Sequence, residues 1–311
     1  METDGKPLTE SELVHAIFDT MLQVHGVTRG HRVVHAKGIV CDGTFTPSKD
    51  AMKFSKAVHF QGSVPVIVRL SDGNPDPIIP DNSPNAGPRG MSVRFKLPNG
   101  KETDIIALSV NGFAVSTGEE FLELQKAVAA TDGTKPHPWP IEAFLGTHPN
   151  ALRFVMGTQV VPASFATESF FPANTFIFVN KDGVKQAGRY EIIPFEGQHN
   201  LSEDEAKAKS EGFLFEDLKT RLVKGPIEYH LMVRLPNVGD STKDPSVIWP
   251  ADRKTIDLGT ISVTSEIANS SEVEKGLGFY PTNLTDGVEL SDDPFPSLRA
   301  KVYALARAHR K

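Results

Sequence analysis

Short apolar runs, each broken by a turn signal before it reaches the length of an ordinary helix, are what most constrain this chain. Residues 64–71, Val-Pro-Val-Ile-Val-Arg-Leu-Ser, are β-branched in their middle and too apolar to be solvated on both faces. Residues 89–97 alternate apolar and polar side chains and stop at Pro98-Asn99-Gly100. Residues 104–115, 175–180, 227–235 and 258–264 are extended in the same way, and Lys181-Asp182-Gly183 makes 175–180 one arm of a hairpin. Runs of this length and punctuation read as strands. The 25 glycines and 23 prolines supply the turns that so many strands need.

Helical signals lie mainly toward the ends. Thr9 and Glu12 form a capping box, Leu13, Ile17, Met21 and Val24 follow at helical spacing, and Gly26 closes the segment. Thr117-Gly118-Glu119-Glu120 caps a helix through Val128, Ser202 with Glu205 caps another, and a helix near 215–223 stops at Gly225-Pro226. Residues 30–45 read as extended chain, 72–88 as a long ordered loop, and 135–149, with four prolines, as irregular surface chain. No internal repeat or low-complexity linker divides the sequence. The pattern predicts one α+β domain over residues 1–311, built on an antiparallel sheet or barrel.

Charge narrows the function classes. The chain has 33 basic and 39 acidic residues, a net −6, without a basic block, which argues against nucleic acid as a partner. The single cysteine, Cys41, excludes an internal disulfide and a thiolate cluster. The first residues lack the basic and apolar regions of a secretory signal, and no run approaches the ~20 apolar residues of a membrane span. A cytoplasmic protein is the expectation.

Two stretches carry chemistry. After Pro296 the chain is free of Gly and Pro and rich in Ala, Leu, Arg and Lys, so it reads as a helix on which Arg299 and Tyr303 are neighbours. A guanidinium beside a phenol favours the phenolate, a hard anionic ligand suited to ferric iron. Near the other end, residues 32–38 read Arg-Val-Val-His-Ala-Lys-Gly. His31 and His35 are four apart, but the valines and glycines around them favour extended chain over a helical metal pair. Arg69 sits in an apolar strand and needs an anionic partner. Singly, His35 reads as a satisfied core histidine, Arg69 as a structural ion pair and Tyr303 as an aromatic anchor; only the joint presence of His35, Arg69, Ser71 and Arg299 with Tyr303 raises another reading. His59, His199, His230 and His309 take the structural reading.

Taken in order, these motifs resemble the catalase superfamily, and specifically its small catalase-related haem peroxidases. Residues 32–38 are similar to the distal-side motif, 66–71 to the strand that follows it, and Gly87-Pro88-Arg89-Gly90 to the family's Asp-Pro-Arg-Gly turn. Val247-Ile248-Trp249-Pro250, residues 277–283 and Arg299-Ala300-Lys301-Val302-Tyr303 continue the likeness, which stops short of the C-terminal extensions of ordinary catalases. The resemblance implies a catalase-like antiparallel β-barrel with surrounding helices, and haem b as cofactor. By position it makes Tyr303 the axial iron ligand and Arg299 the guanidinium beside it. It makes His35 the distal histidine, Ser71 its hydrogen-bond partner, Arg32 and Arg69 propionate contacts, and Phe113 a ring stacked on the haem. Leu108 occupies the family's distal asparagine position, with Asn111 three residues on, and Asn174 stands where catalases often carry a histidine.

The activity implied is reduction of hydrogen peroxide or organic hydroperoxides by a small organic reductant, through a ferryl state. Leu108 cannot donate a hydrogen bond to a second peroxide, so weak catalase activity is expected. An ordinary catalase, hydroperoxide rearrangement of the allene-oxide-synthase kind, and a non-enzymatic haem carrier or sensor are the other readings. Small relatives imply a homodimer.

Overall fold

The computed structural model describes residues 7–26, 30–134 and 136–310. The first helix, α1 (Glu10–His25), starts at the Thr9–Glu12 capping box and ends at Gly26, whose φ of 68° is open to glycine at no steric cost. It is followed by β1 (Gly38–Pro47), the single turn α2 (Ala51–Phe54), β2 (Val64–Ser71), β3 (Gly90–Lys96) and β4 (Glu102–Leu108). Next come α3 (Gly118–Ala129), α4 (Pro140–Thr147), α5 (Pro149–Thr158), β5 (Phe176–Val179) and β6 (Lys185–Pro194). The chain ends with α6 (Glu203–Lys207), α7 (Phe213–Lys224), β7 (Ile227–Arg234), β8 (Thr255–Glu266), α8 (Ser270–Gly276), β9 (Val288–Leu290) and α9 (Phe295–Arg310).

The strands form a nine-stranded sheet in the order β4-β3-β2-β1-β8-β7-β6-β5-β9. Every pairing in it is antiparallel. The sheet curls, and its β4 edge is joined back to β6 through the bridges Leu108↔Phe171 and Phe170↔Ile192. The expected antiparallel barrel with helices around it is therefore what the chain builds.

Strand alternation sorts the side chains. Val64, Val66, Val68 and Leu70 of β2 point into the core with Phe45, Met91, Phe95 and Phe170. The intervening Ile67, Arg69 and Ser71 lie on the opposite face, where Glu274 of α8 reaches Arg69. A strand buried on both faces is the reason its sequence is almost continuously apolar.

The two chain ends meet in a second, smaller core. Leu298 and Val302 of α9 pack against Leu13, Val14 and Ile17 of α1 and Leu122 of α3. Each such side chain contributes about 1.5–3 kcal/mol on burial. Asp293 sets the start of α9, its Oδ1 accepting from Phe295 N at 2.8 Å. Among the described residues no helix is long and apolar enough to cross a membrane.

Three expectations change. Within 135–149, expected as irregular chain, residues 140–147 are a helix and Pro149 opens the next one, because Pro140 and Pro149 occupy first-turn positions, where a missing N–H costs nothing. Lys135, the first residue of that expected segment, lies outside the described residues. Residues 30–37 bend instead of running extended, so Arg32 and His35 stand on a turn, and strand begins only at Gly38. Residues 109–115 leave the sheet after Leu108.

Candidate active site

The turn before β1 holds His35 in an unusual backbone conformation. Its φ is 56°, left-handed for a residue that is not glycine. Hydrogen bonds impose it: His35 N donates to Gly73 O at 3.0 Å, Ala36 N to Asn74 O at 3.1 Å, and Arg69 Nη2 to His35 O at 2.7 Å. Strain of this kind persists only where its surroundings over-determine it.

The imidazole lies over one row of the sheet. Register places Gly38, Ser71, Gly90 and Leu108 opposite one another across β1, β2, β3 and β4. His35 Nδ1 is 3.1 Å from Ser71 Oγ. Gly90 leaves the ring its space, since a Cβ there would stand 2.7 Å from Ser71 Oγ and 2.9 Å from His35 Nδ1. Burial first, then the charges of Arg69, Arg32 and Arg299, push His35 down to about 3 from its ordinary 6.5. The ring is neutral at neutral pH.

Arg69 is 4% exposed, and the anion it needs is Glu274 of α8. Arg69 Nε donates to Glu274 Oε1 at 2.7 Å and Arg32 Nε to the same oxygen at 3.3 Å. Arg32 Nη2 also donates to Leu277 O at 3.1 Å. A third arginine, Arg310 of α9, donates to Lys275 O at 3.0 Å and Leu277 O at 2.8 Å, while its buried Nε finds no acceptor among the described residues. The charge of Arg32 opposes that of Arg69 and of Arg310, and burial pushes both of these guanidiniums down to about 10. Three guanidiniums thus gather at one carboxylate.

On α9, Arg299 Nη2 donates to Tyr303 Oη at 2.9 Å, with Nε at 3.2 Å. Arg299 is itself held from outside the helix: its Nη1 donates to Asn174 Oδ1 at 2.7 Å, and Asn174 Nδ2 donates to Asp293 Oδ2 at 2.7 Å. Arg299 is among the charges acting on His35, and Tyr303 among those acting on Arg32. The motifs from the two chain ends therefore share one electrostatic neighbourhood. Phe113 belongs to a ring cluster at the start of α9, with centroids 5.1 Å from Phe295 and 5.6 Å from Phe121 and Phe154.

Leu108 ends the row beneath His35 and is half-buried. Asn111, three residues on, turns away into a separate cavity that it shares with Ser109, Glu168 and Gln198. His35 does not line that cavity.

The family model for catalase matches residues 15–311. The chain belongs to the catalase family. A protein named catalase-related peroxidase from Mycolicibacterium paratuberculosis is 35% identical over 303 residues, covering 96% of this chain and 94% of that one. A catalase-related peroxidase from Synechococcus elongatus is 30% identical, with 97% and 89% covered. The catalase of Latilactobacillus sakei is 27% identical, and the match spans 61% of its length. Solved structures agree on the fold: a bacterial catalase superposes with a TM-score of 0.73 at 21% identity, over 99% of this chain and 63% of that one. A fungal catalase superposes with 0.77 at 20% identity, over 99% and 65%. Membership makes the protein an oxidoreductase acting on peroxide, with a haem cofactor.

The side chains fit that cofactor. One carboxylate does not balance Arg32, Arg69 and Arg310, and an orphaned guanidinium nitrogen on Arg310 lacks an acceptor. A haem brings two further carboxylates to such a cluster. Glu274 and Arg310 were not found by sequence reasoning. Arg310 carried a signal, lying two helical turns after Tyr303 on the Arg299–Tyr303 stripe. For Glu274 there was only the demand that a buried arginine be answered by an anion.

Proposed function

We propose that the protein is a haem b peroxidase, acting as one domain over residues 1–311, that reduces peroxides with a small organic reductant and disproportionates hydrogen peroxide weakly. The observation that carries the reading is the common neighbourhood of the His35–Ser71 pair and the Arg299–Tyr303 pair, drawn from opposite ends of the chain. In it Tyr303 would hold the iron, Arg299 would stabilise the phenolate, Arg32 and Arg69 with Arg310 would receive the propionates, and Phe113 would stack on the haem.

Bound haem supplies the two-electron reduction of the peroxide O–O bond. The chain supplies the proton traffic. His35 is neutral, so it can accept a proton, and Ser71 at Nδ1 leaves Nε2 as the nitrogen that takes the proton from one peroxide oxygen and returns it to the departing one. The hydrogen bonds to Gly73, Asn74 and Arg69 hold the His35 backbone, and the bare Cα of Gly90 leaves the ring its space. Leu108 offers only methyl groups where a donor could orient a second peroxide, which supports an organic reductant as the electron source.

Leu108→Asn tests the assignment. One added hydrogen bond of about 1.4 kcal/mol would raise hydrogen peroxide disproportionation roughly tenfold, at the expense of organic hydroperoxide reduction. A wild-type protein that disproportionates hydrogen peroxide as fast as full catalases do, and ignores organic reductants, overturns it.

A further inference from the structure

Beside the haem-pocket residues lies a second cavity that the mechanism does not use. Its volume is about 240 Å³. It starts one residue past Leu108, at Ser109, which is tied to the start of β3 by Ser109 N to Arg89 O at 2.9 Å and Arg89 N to Ser109 Oγ at 3.0 Å. Its position next to the distal row is therefore fixed.

The lining combines polar and aliphatic side chains: the buried Glu168, the half-buried Asn111 and the exposed Gln198 and Asn200, with Val110, Val160 and Ile248. Glu168 is 2% exposed, and only its Oε1 is engaged, by Ser169 N at 2.9 Å and Gln198 Nε2 at 3.3 Å. Among the described residues Oε2 has no hydrogen-bond partner. A buried carboxyl with one oxygen free is a costly feature unless a ligand or water completes it. Burial pushes this group up to about 7, so a neutral hydroxyl can pair with it in either protonation state.

The lining cation does not make this an anion site. Arg153 Nη1 donates to Asn150 Oδ1 at 3.0 Å and Nη2 to Ser246 O at 2.7 Å, so its outer nitrogens are committed to the protein. Val160, 42% exposed, brings an aliphatic side chain to the rim, where the exposed Gln198 and Asn200 bring polar ones. A cavity of ~150 Å³ accepts a benzene ring, so this one holds a single substituted ring.

We propose that this cavity binds a small phenol, its ring against Val110, Val160 and Ile248 and its hydroxyl on Glu168 Oε2. The site rests on the peroxidase reading only in naming the phenol as the organic reductant. Held there, the ring lies next to the Leu108 end of the distal row without entering the space above it.

The test uses 4-methylphenol and the haem-loaded protein without peroxide, with binding read by NMR titration. Wild type should bind saturably. Val160→Trp, which fills the mouth, and Glu168→Leu, which removes both carboxyl oxygens, should each weaken binding about tenfold, with the haem absorption spectrum unchanged. 4-Methylanisole, which has the ring but no hydroxyl, should bind about tenfold more weakly than the phenol. Absence of saturable binding, or equal binding to wild type and Val160→Trp, overturns the site. Peroxide-driven phenol oxidation that Val160→Trp leaves unchanged also overturns it, while the peroxidase reading stands. Phenol binding that Val160→Trp abolishes, in a protein that oxidises no phenol, supports the site and removes the peroxidase reading.

Discussion

Glu274 is the residue whose removal separates a structural arginine cluster from a cofactor-binding one. Its Oε1 takes Arg69 Nε at 2.7 Å and Arg32 Nε at 3.3 Å. In Glu274→Ala, Arg69 keeps His35 O as an acceptor and Arg32 keeps Leu277 O, but neither has a counter-charge within the cluster. Removing one partner of a buried ion pair costs about 3–5 kcal/mol, because the other charge stays desolvated. The haem-free protein should lose that much in urea unfolding followed by circular dichroism. The haem-loaded protein should lose less, by about 1.5–3 kcal/mol, since the propionates restore a charged acceptor to the same guanidiniums. An equal loss with and without haem would mean that the arginines do not meet the propionates. A loss below about 1 kcal/mol in the haem-free protein would mean that the pair is not effectively buried.

The remaining predictions concern pH, the proximal helix and the tail. His59, 2% exposed against Phe60 (centroids 4.0 Å) and Phe95 (4.9 Å), is pushed by burial down to about 3 from 6.5. Below pH 6.5 the unfolded chain takes a proton that the native ring refuses, so stability falls with pH until about pH 3; at pH 5 the loss is about 2 kcal/mol. His59→Phe should remove that share of the loss between pH 7.5 and 5, while His35 leaves a residual slope; unfolding curves at the two pH values check it. Asn174→Ala strips Arg299 of the acceptor at 2.7 Å and should cost about 1.5–3 kcal/mol in unfolding of the haem-loaded protein. Deleting the chain from Arg299 onward should abolish haem retention on gel filtration.

Much of this site was legible in the sequence, and each miss has a physical cause. The Arg299–Tyr303 pair was readable because helical spacing alone makes them neighbours. Arg69 announced a partner by being a charge in an apolar strand, but the identity of that partner depended on how α8 folds back across 205 residues of sequence. His35 was expected on extended chain. The bend that actually aims it depends on long-range hydrogen bonds to Gly73 and Asn74, which leave no local trace. The helix over 140–147 was missed because the prolines of 135–149 were read as marking irregular chain, although Pro140 stands at a helix start. Leu108 and Asn111 part where the sheet ends: Leu108 is the last residue of β4, and the chain beyond it brings Asn111 to the second cavity.

Everything proposed for this site turns on Tyr303 as the residue that would hold the iron. One absorption spectrum of the haem-loaded protein, wild type beside Tyr303→Phe, tests it. The account predicts a phenolate-type spectrum in the wild type, and its loss, together with loss of tight haem retention, in the variant. A histidine-type spectrum that the substitution leaves unchanged contradicts it.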